Sequence, residues 1–167
     1  YTYSTWNSPI ELATMQQVVE ADGGDFSKVD LIPNNIVDEA GALKEHQTDA
    51  IWIYYGWGGI SAELQGLDFN YFYFKDLDPV FDYYTPVIIA NNDFLAEHPD
   101  TAKAFLSATA KGYEYAIAHP EEAAQMLIES DTTGSLKDSA ELVTASQKWM
   151  ADQYQAEAER WEVGGPS

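Results

Sequence analysis

The sequence contains no cysteine and few cationic residues. The first absence excludes disulfides, thiolate metal sites and a cysteine nucleophile, and it carries no information about the compartment. Eight Lys and Arg residues stand against 28 Asp and Glu residues, which gives a net charge of −20. A field of that sign repels nucleic acid and anionic membrane surfaces, and it disfavours the capture of phosphate or sulfonate. The composition therefore predicts no nucleic-acid partner.

Long apolar runs are also missing. No stretch approaches the ~18 consecutive apolar residues of a transmembrane helix, and no signal peptide is recognisable. The chain begins at Tyr1 inside a predicted strand, which indicates a processed or truncated chain. The 46% hydrophobic and 14% aromatic content, by contrast, is far above that of a disordered acidic chain. A folded core is therefore expected.

Recognisable catalytic and metal-binding motifs are absent as well. The sequence has no Gly-x-Ser-x-Gly elbow, phosphate loop, His-Glu-x-x-His pair or dinucleotide fingerprint. Its three histidines have no second ligand at helical spacing, and the acidic cluster of Asp76, Asp78 and Asp82 lacks the regular spacing of a calcium loop. We therefore predict no metal, no cofactor and no enzymatic activity. A pair of glycosidase carboxylates has no sequence signature and stays open.

The first half of the chain alternates predicted strands and helices. Ser8, Pro9 and Glu11 have the spacing of a capping box with Pro at the first helical position, and Gly23-Gly24 ends the helix. Strands are predicted at residues 1–4, 29–33, 50–55 and 69–74, with further helices at 39–47 and 60–64 and a glycine-rich turn at 56–59. This order predicts an α/β fold with a parallel sheet and right-handed crossovers.

Beyond Tyr84 the pattern becomes mainly helical. One more apolar strand is predicted at residues 86–90. Pro99 opens a long helix, Pro120 interrupts it, and the pattern predicts further helices at residues 121–129 and 142–153. The tail at residues 163–167 is expected to be frayed. We therefore divide the chain into an α/β part, residues 1–84, and a mainly helical part, residues 85–167.

Three loops are predicted to meet at one edge of the sheet, because ligands of open parallel sheets bind beyond the carboxyl ends of the strands. These loops, at residues 5–8, 34–38 and 55–59, contain no Lys, Arg or His. They carry three aromatic rings, several neutral polar groups and one acid, namely Trp6, Tyr55, Trp57, Asn7, Ser8, Asn34, Asn35 and Asp38. The backbone amides at the helix start add donors. This set suits a flat, neutral or cationic heterocycle better than an anion.

Structural roles for the same residues remain open alternatives. Ser8 is also explained as a simple helix cap, and Trp6 and Trp57 are also explained as core aromatics. Glycines on both sides of Trp57 favour an exposed loop that a ligand could approach closely.

Several segments resemble one family closely. The matching segments are residues 92–99, 104–106, 111–117 and 119–124 in the helical part, residues 6–9, 49–57, 76–79 and 82–87 before it, and Tyr154-Gln155-Ala156 with Arg160-Trp161 after it. They are similar to the importer binding proteins for thiamine pyrimidine precursors, which are related to the alkanesulfonate, taurine and nitrate binders. The likeness runs from Tyr1 to about Trp161, so it covers nearly the whole chain.

The resemblance implies a type II periplasmic binding protein, which is a two-lobed clamp. Residues 1–84 would form the second lobe, residues 85–167 would return through the hinge and help to complete the first lobe, and the N-terminal half would be absent. The resemblance further implies an extracytoplasmic protein, in the periplasm or as a cell-surface lipoprotein, that delivers a small-molecule solute to an ABC permease in the membrane.

The resemblance also bears on single residues. Ser8 and Trp57 match positions that resemble pyrimidine contacts in the family. The hinge run brings Asp82, Tyr84 and Thr85 to the ligand by the same resemblance. Pyrimidine binders tend to carry Glu where this sequence has Thr85, and Asp82 is the candidate substitute.

The leading hypothesis is a binding protein for a small planar nitrogen heterocycle such as a thiamine pyrimidine precursor. An alkanesulfonate or nitrate-type binder of the same fold is the first alternative, and a pyrimidine-biosynthesis enzyme is the second. A lobe without its counterpart should bind weakly, and its exposed surface favours a homodimer of the truncated chain.

Overall fold

A small parallel sheet organises the first of two units in the computed structural model. The structure describes residues 1–33, 36, 38–83 and 87–154, and the two units are Tyr1–Thr85 and Pro86–Ser167. The strands are β1 (Thr2–Thr5), β2 (Asp30–Pro33) and β3 (Ala50–Ile51), in the spatial order β2-β1-β3. Both pairings are parallel, and Tyr3 lies opposite Leu31 on one side and Ala50 on the other.

Helices connect these strands, as βαβ units require. Helix α1 (Pro9–Ala21) lies between β1 and β2, and α2 (Glu39–Lys44) lies between β2 and β3. The α/β class predicted from the sequence is confirmed. The central strand β1 carries the most deeply buried side chains of this unit, Tyr3 and Ser4.

Local hydrogen bonds and backbone conformation determine where helix α1 begins and ends. Pro9 occupies the first turn, and the Ser8 backbone N–H donates to Glu11 Oε2 at 3.3 Å, as a capping box requires. At the other end Gly23 has φ +80°, and the Gly24 N–H donates to the carbonyl of Val19 at 2.8 Å. The left-handed conformation at Gly23 lets the chain turn away while the last carbonyls stay paired.

The third strand is shorter than predicted. Residues 50–55 were expected to form a strand buried on both faces, but β3 contains only Ala50 and Ile51. Among the described residues it pairs with Tyr3 and Ser4 of β1 alone. The predicted turn is helical instead: Tyr55–Gly59 forms a π-helical turn that runs into α3 (Ile60–Leu64). A Cβ at Gly59 would lie 2.5 Å from the Tyr55 ring, so glycine permits this close approach.

The predicted strand at residues 69–74 does not form. Residues 69–73 have no regular structure, and Phe74 begins α4 (Phe74–Leu77), which a 3₁₀ turn, Pro79–Phe81, follows. In the part of the chain that the structure describes, the aromatic residues of this segment join no strand of the sheet. Their rings contact other rings instead, as Phe74 does with Trp52 at a centroid distance of 4.6 Å.

The second unit is helical. Its helices are α5 (Asn92–Glu97), α6 (Pro99–Ala118), α7 (Pro120–Ser130), α8 (Ser135–Asp138) and α9 (Ala140–Gln153). Pro99 and Pro120 stand at the first positions of α6 and α7, which confirms the helix starts predicted from these prolines. The strand predicted at residues 86–90 is wrong for residues 87–90, which are exposed and irregular, and Pro86 lies outside the described residues. The tail at residues 163–167 also lies outside them.

Helix α7 packs on α9, and α6 contacts both. Ala124 of α7 is 0% exposed and Val143 of α9 is 2% exposed, so these residues mark the tightest part of the interface. The spacing in the sequence predicts that Leu142, Ala145, Ser146, Trp149 and Gln153 form the packed face of α9. The buried positions of this helix are instead Val143 and Ala151.

We predict that Ala124→Leu destabilises the second unit by about 1–3 kcal/mol, because a fully buried alanine leaves no room for three further carbon atoms. Urea denaturation followed by helical circular dichroism measures the effect. Ala104→Leu, at an exposed position of α6, is the matched control and should leave the unfolding free energy nearly unchanged. Equal effects of the two substitutions would contradict the proposed packing.

Candidate functional site

The candidate site lies at the carboxyl edge of the sheet. Because the three strands are parallel, the segments that follow β1, β2 and β3 leave the sheet at the same edge. The structure describes the predicted site residues Trp6, Asn7, Ser8, Asp38, Tyr55, Trp57 and Asp82. Asn34, Asn35, Tyr84 and Thr85 were also predicted to contribute, and they lie outside the described residues.

A buried carboxylate lies beneath the first of these segments. Successive side chains of a strand point to opposite faces, and in β1 both Tyr3 and Thr5 point towards α1. The Tyr3 hydroxyl donates to Glu11 Oε1 at 2.6 Å, and the Thr5 hydroxyl donates to Glu11 Oε2 at 2.9 Å. Glu11 is only 3% exposed although it carries an ionisable group.

The same carboxylate holds the loop of residues 6–8. The Trp6 N–H donates to Glu11 Oε1 at 3.3 Å, and the Ser8 N–H donates to Oε2 at 3.3 Å. The Asn7 N–H donates to the Thr5 hydroxyl oxygen at 2.8 Å, and that hydroxyl in turn donates to Glu11. Every backbone N–H of this loop therefore leads to Glu11, directly or through Thr5.

Asn7 has a left-handed backbone, with φ 58°. Asparagine tolerates this region better than most residues, but a non-glycine residue there still needs support from its surroundings. The hydrogen bonds on both sides of Asn7 supply that support, and the Asn7 side chain remains exposed.

The two predicted stacking rings are partly exposed. Trp6 is 46% exposed and Trp57 is 43% exposed. Trp6 contacts Trp52 at a centroid distance of 6.5 Å and an angle of 54°, so one edge of the ring is packed while much of the rest is open to solvent. Neither tryptophan is a buried core residue.

The ring and the hydroxyl group of Tyr55 both contact neighbouring side chains. Its hydroxyl donates to Glu63, and its ring contacts Tyr71 at 5.0 Å and Tyr73 at 5.7 Å. Hydrogen bonding to Glu63 and to Tyr71, together with burial, raises the pKa of Tyr55. The structure thus gives Tyr55 a packing role beside Trp57, since both belong to the same π-helical turn.

Asp38 lies at a different feature from the tryptophans. It caps α2 by accepting a hydrogen bond from the Gly41 N–H at 3.1 Å. It also lines a pocket of about 460 Å³, whose walls are Ser4, Ile32, Pro33, Ile36, Asp38, Gly41, Ala42, Glu45 and Gln47. The described lining of this pocket includes neither Trp6 nor Trp57.

Asp82 is exposed and follows the 3₁₀ turn, where its N–H donates to the carbonyl of Pro79 at 3.1 Å. The described side chains include no group of three or more His, Asp or Glu residues placed to hold a metal ion. Within the same described ranges, no helix is long and apolar enough to cross a bilayer.

Comparisons with known proteins show which family the chain belongs to. The sequence model of the NMT1/THI5-like family matches residues 1–123, which is most of the 167-residue chain. The chain belongs to the NMT1/THI5-like family. The resemblance seen in the sequence motifs is thereby confirmed.

A curated relative agrees with this family. The chain is 28% identical over 125 residues to a formylaminopyrimidine-binding protein from Halalkalibacterium halodurans. The matched region is 72% of this chain but only 36% of the relative, so the chain spans much less than the relative's full length.

The loop of residues 6–8 was predicted from the sequence, but the role of Glu11 in holding it was not. Glu11 was recognised only as the acidic member of a capping box, and such residues usually lie at the surface. The additional signal was the pair Tyr3 and Thr5, which share one face of β1 and bring two hydroxyl donors to the start of α1.

We predict that Tyr3 makes the first unit sensitive to alkali. Burial, and then the hydrogen bond to Glu11, raises the pKa of Tyr3 above its ordinary value of 10.0. In the unfolded chain Tyr3 loses its proton near pH 10, whereas in the folded chain it keeps it. This contribution to stability is therefore complete below about pH 10 and is lost as the pH rises further.

Urea denaturation at pH 8, 10 and 11 checks this prediction. The unfolding free energy should fall less steeply with pH in Tyr3→Phe than in the parent chain. Tyr1→Phe is the control, because Tyr1 is almost fully exposed. An identical pH dependence in Tyr3→Phe and the parent chain would contradict the assignment.

Proposed function

We propose that this chain is part of the solute-binding protein of an ABC importer and that its solute is a planar, pyrimidine-type nitrogen heterocycle. The observation that carries the proposal is the loop of residues 6–8, in a chain of the NMT1/THI5-like family, where a half-exposed tryptophan and an exposed asparagine follow the central strand. The relative from Halalkalibacterium halodurans is a formylaminopyrimidine-binding protein, which supports the same solute class.

Recognition in this proposal combines stacking with neutral hydrogen bonds. Trp6 and Trp57 offer ring surface that is still open to solvent, and stacking on such rings suits a flat heterocycle. The Asn7 amide offers both donors and an acceptor for ring nitrogens and an exocyclic amino group. Asn34, Asp38, Asp82, Tyr84 and Thr85 remain predicted contributors from the other segments.

The proposed protein works as a clamp. Residues 1–84 form its second lobe, residues 85–167 help to complete its first lobe, and the remaining part of the first lobe corresponds to sequence that the relative has and this chain does not span. Solute binds between the lobes, and closure presents the loaded protein to a membrane permease. This role requires an extracytoplasmic location and no catalytic turnover.

The anion-binding alternative receives no support from the amino-acid composition of the three loops. A sulfonate or nitrate site normally recruits Arg or Lys, and residues 5–8, 34–38 and 55–59 contain neither. The relative is a binding protein, which favours the solute-binding role over the pyrimidine-forming enzyme.

We predict that Trp57→Leu weakens binding of the heterocycle by about tenfold or more, because the leucine cannot stack. Isothermal titration of the two-lobed protein with formylaminopyrimidine measures the loss, with the hydroxymethyl aminopyrimidine, methanesulfonate and riboflavin as comparison solutes. Trp57→Phe keeps a ring and should lose less affinity. Trp149→Phe, in α9, is the control and should bind as the parent does.

Two outcomes would count against this function. If the parent protein binds methanesulfonate but neither pyrimidine, the solute class is wrong. If Trp57→Leu and Trp149→Phe bind the pyrimidine equally well, the heterocycle does not stack on Trp57.

A further inference from the structure

The backbone N–H groups of the loop that leads into α1, residues 6–8, already donate to an internal anion or to its partner Thr5. A helix N-terminus favours negative charge and presents unpaired N–H groups, and α1 is a 13-residue helix. Here Glu11 accepts hydrogen bonds from the Trp6 and Ser8 N–H groups, and Thr5 relays the Asn7 N–H to the same carboxylate. Pro9 has no N–H to offer.

The hydrogen-bonding pattern of Glu11 is that of an ionised carboxylate. Both of its oxygens act as acceptors, each for one hydroxyl and one backbone N–H. Among the described residues, no Lys, Arg or His forms an ion pair with it. Its negative charge is therefore balanced by oriented donors, and it remains a source of negative potential directly beneath the loop.

We propose that Glu11 determines the specificity of this loop by occupying the place that an oxyanion would take. With Glu11 present, the loop of residues 6–8 offers a ligand only the Trp6 ring, the Asn7 side chain and other groups that suit neutral or cationic partners. A sulfonate or phosphate would find the N–H groups of residues 6–8 already bonded to Glu11 or Thr5, with the negative charge of Glu11 beside them. Glu11 is therefore a specificity-determining residue that acts through the loop and its charge, without itself contacting the ligand.

This inference deepens the proposed function, because it assumes that the loop of residues 6–8 faces the solute. It also makes a claim that is independent of the pyrimidine. Removal of the carboxylate frees two hydroxyl and two N–H donors around a carboxylate-sized space, and an external anion should then bind there.

The test is an NMR titration of the ¹⁵N-labelled chain with methanesulfonate, with the uncharged methanesulfonamide as the matched probe. The parent chain should show no saturable shifts at the Trp6, Asn7 and Ser8 amides. Glu11→Ala should show saturable shifts there with methanesulfonate alone, at concentrations at least about tenfold below the highest at which the parent chain still shows none, as expected when charge-assisted hydrogen bonds become available.

Two control variants separate specificity from a loss of stability. Glu11→Asp keeps the charge and should exclude methanesulfonate as the parent does, even though its shorter side chain destabilises the loop. Glu20→Ala removes an exposed carboxylate of the same helix and should leave methanesulfonate binding unchanged. A purely structural role for Glu11 would make Glu11→Asp and Glu11→Ala respond alike.

Glu11→Ser, which also empties the carboxylate position, provides the same test if Glu11→Ala does not fold. Its melting temperature should then rise with methanesulfonate more than with methanesulfonamide, because a ligand that binds only the folded state stabilises it. The inference is overturned if the folded charge-removing variant gains no preference for methanesulfonate, or if the parent chain already binds this anion at the three amides. If the anion result is as expected but the two-lobed parent binds no pyrimidine, the proposed function fails and the role of Glu11 stands.

Discussion

The carboxylate of Glu11 is the interaction on which the first unit depends. Its four donors come from the central strand and from the loop that follows, so a single side chain of α1 fixes the strand, the loop and the helix relative to one another. Burying a charge is unfavourable unless hydrogen bonds compensate it. Here they do, and removal of the carboxylate would leave several buried donors unpaired, which makes this contact a condition for the loop conformation.

Different kinds of packing stabilise the two units. In the first unit, rings contact rings where a sheet would otherwise continue, as Phe74 and Trp52 do beyond the short strand β3. In the second unit, stability comes from α7 packed on α9, whereas α6 has no fully buried residue and leaves Phe105 59% exposed. Helix α6 is therefore less deeply buried among the described helices than α7 and α9 are.

Local signals predicted the helices better than the strands. Pro9, Pro99 and Pro120 begin helices because their fixed φ and missing N–H suit a first turn, and these requirements are visible in the sequence. A strand needs a neighbour, and no local signal reports whether residues 69–73 will find one. The candidate site was likewise only partly predictable. The position of the loop of residues 6–8 follows from the order of strands and helices. The burial of Glu11 does not, because it requires Tyr3 and Thr5 to face α1, and only the register of β1 decides that.

The structural and functional interpretations of Ser8 are compatible. As a cap, Ser8 ties the loop to Glu11 through its backbone N–H, and this contact supports the left-handed backbone of Asn7. The exposed Asn7 side chain and the half-exposed Trp6 ring are held in position by that conformation. A residue can therefore serve binding without touching a ligand, because the loop must be fixed before its side chains can select one.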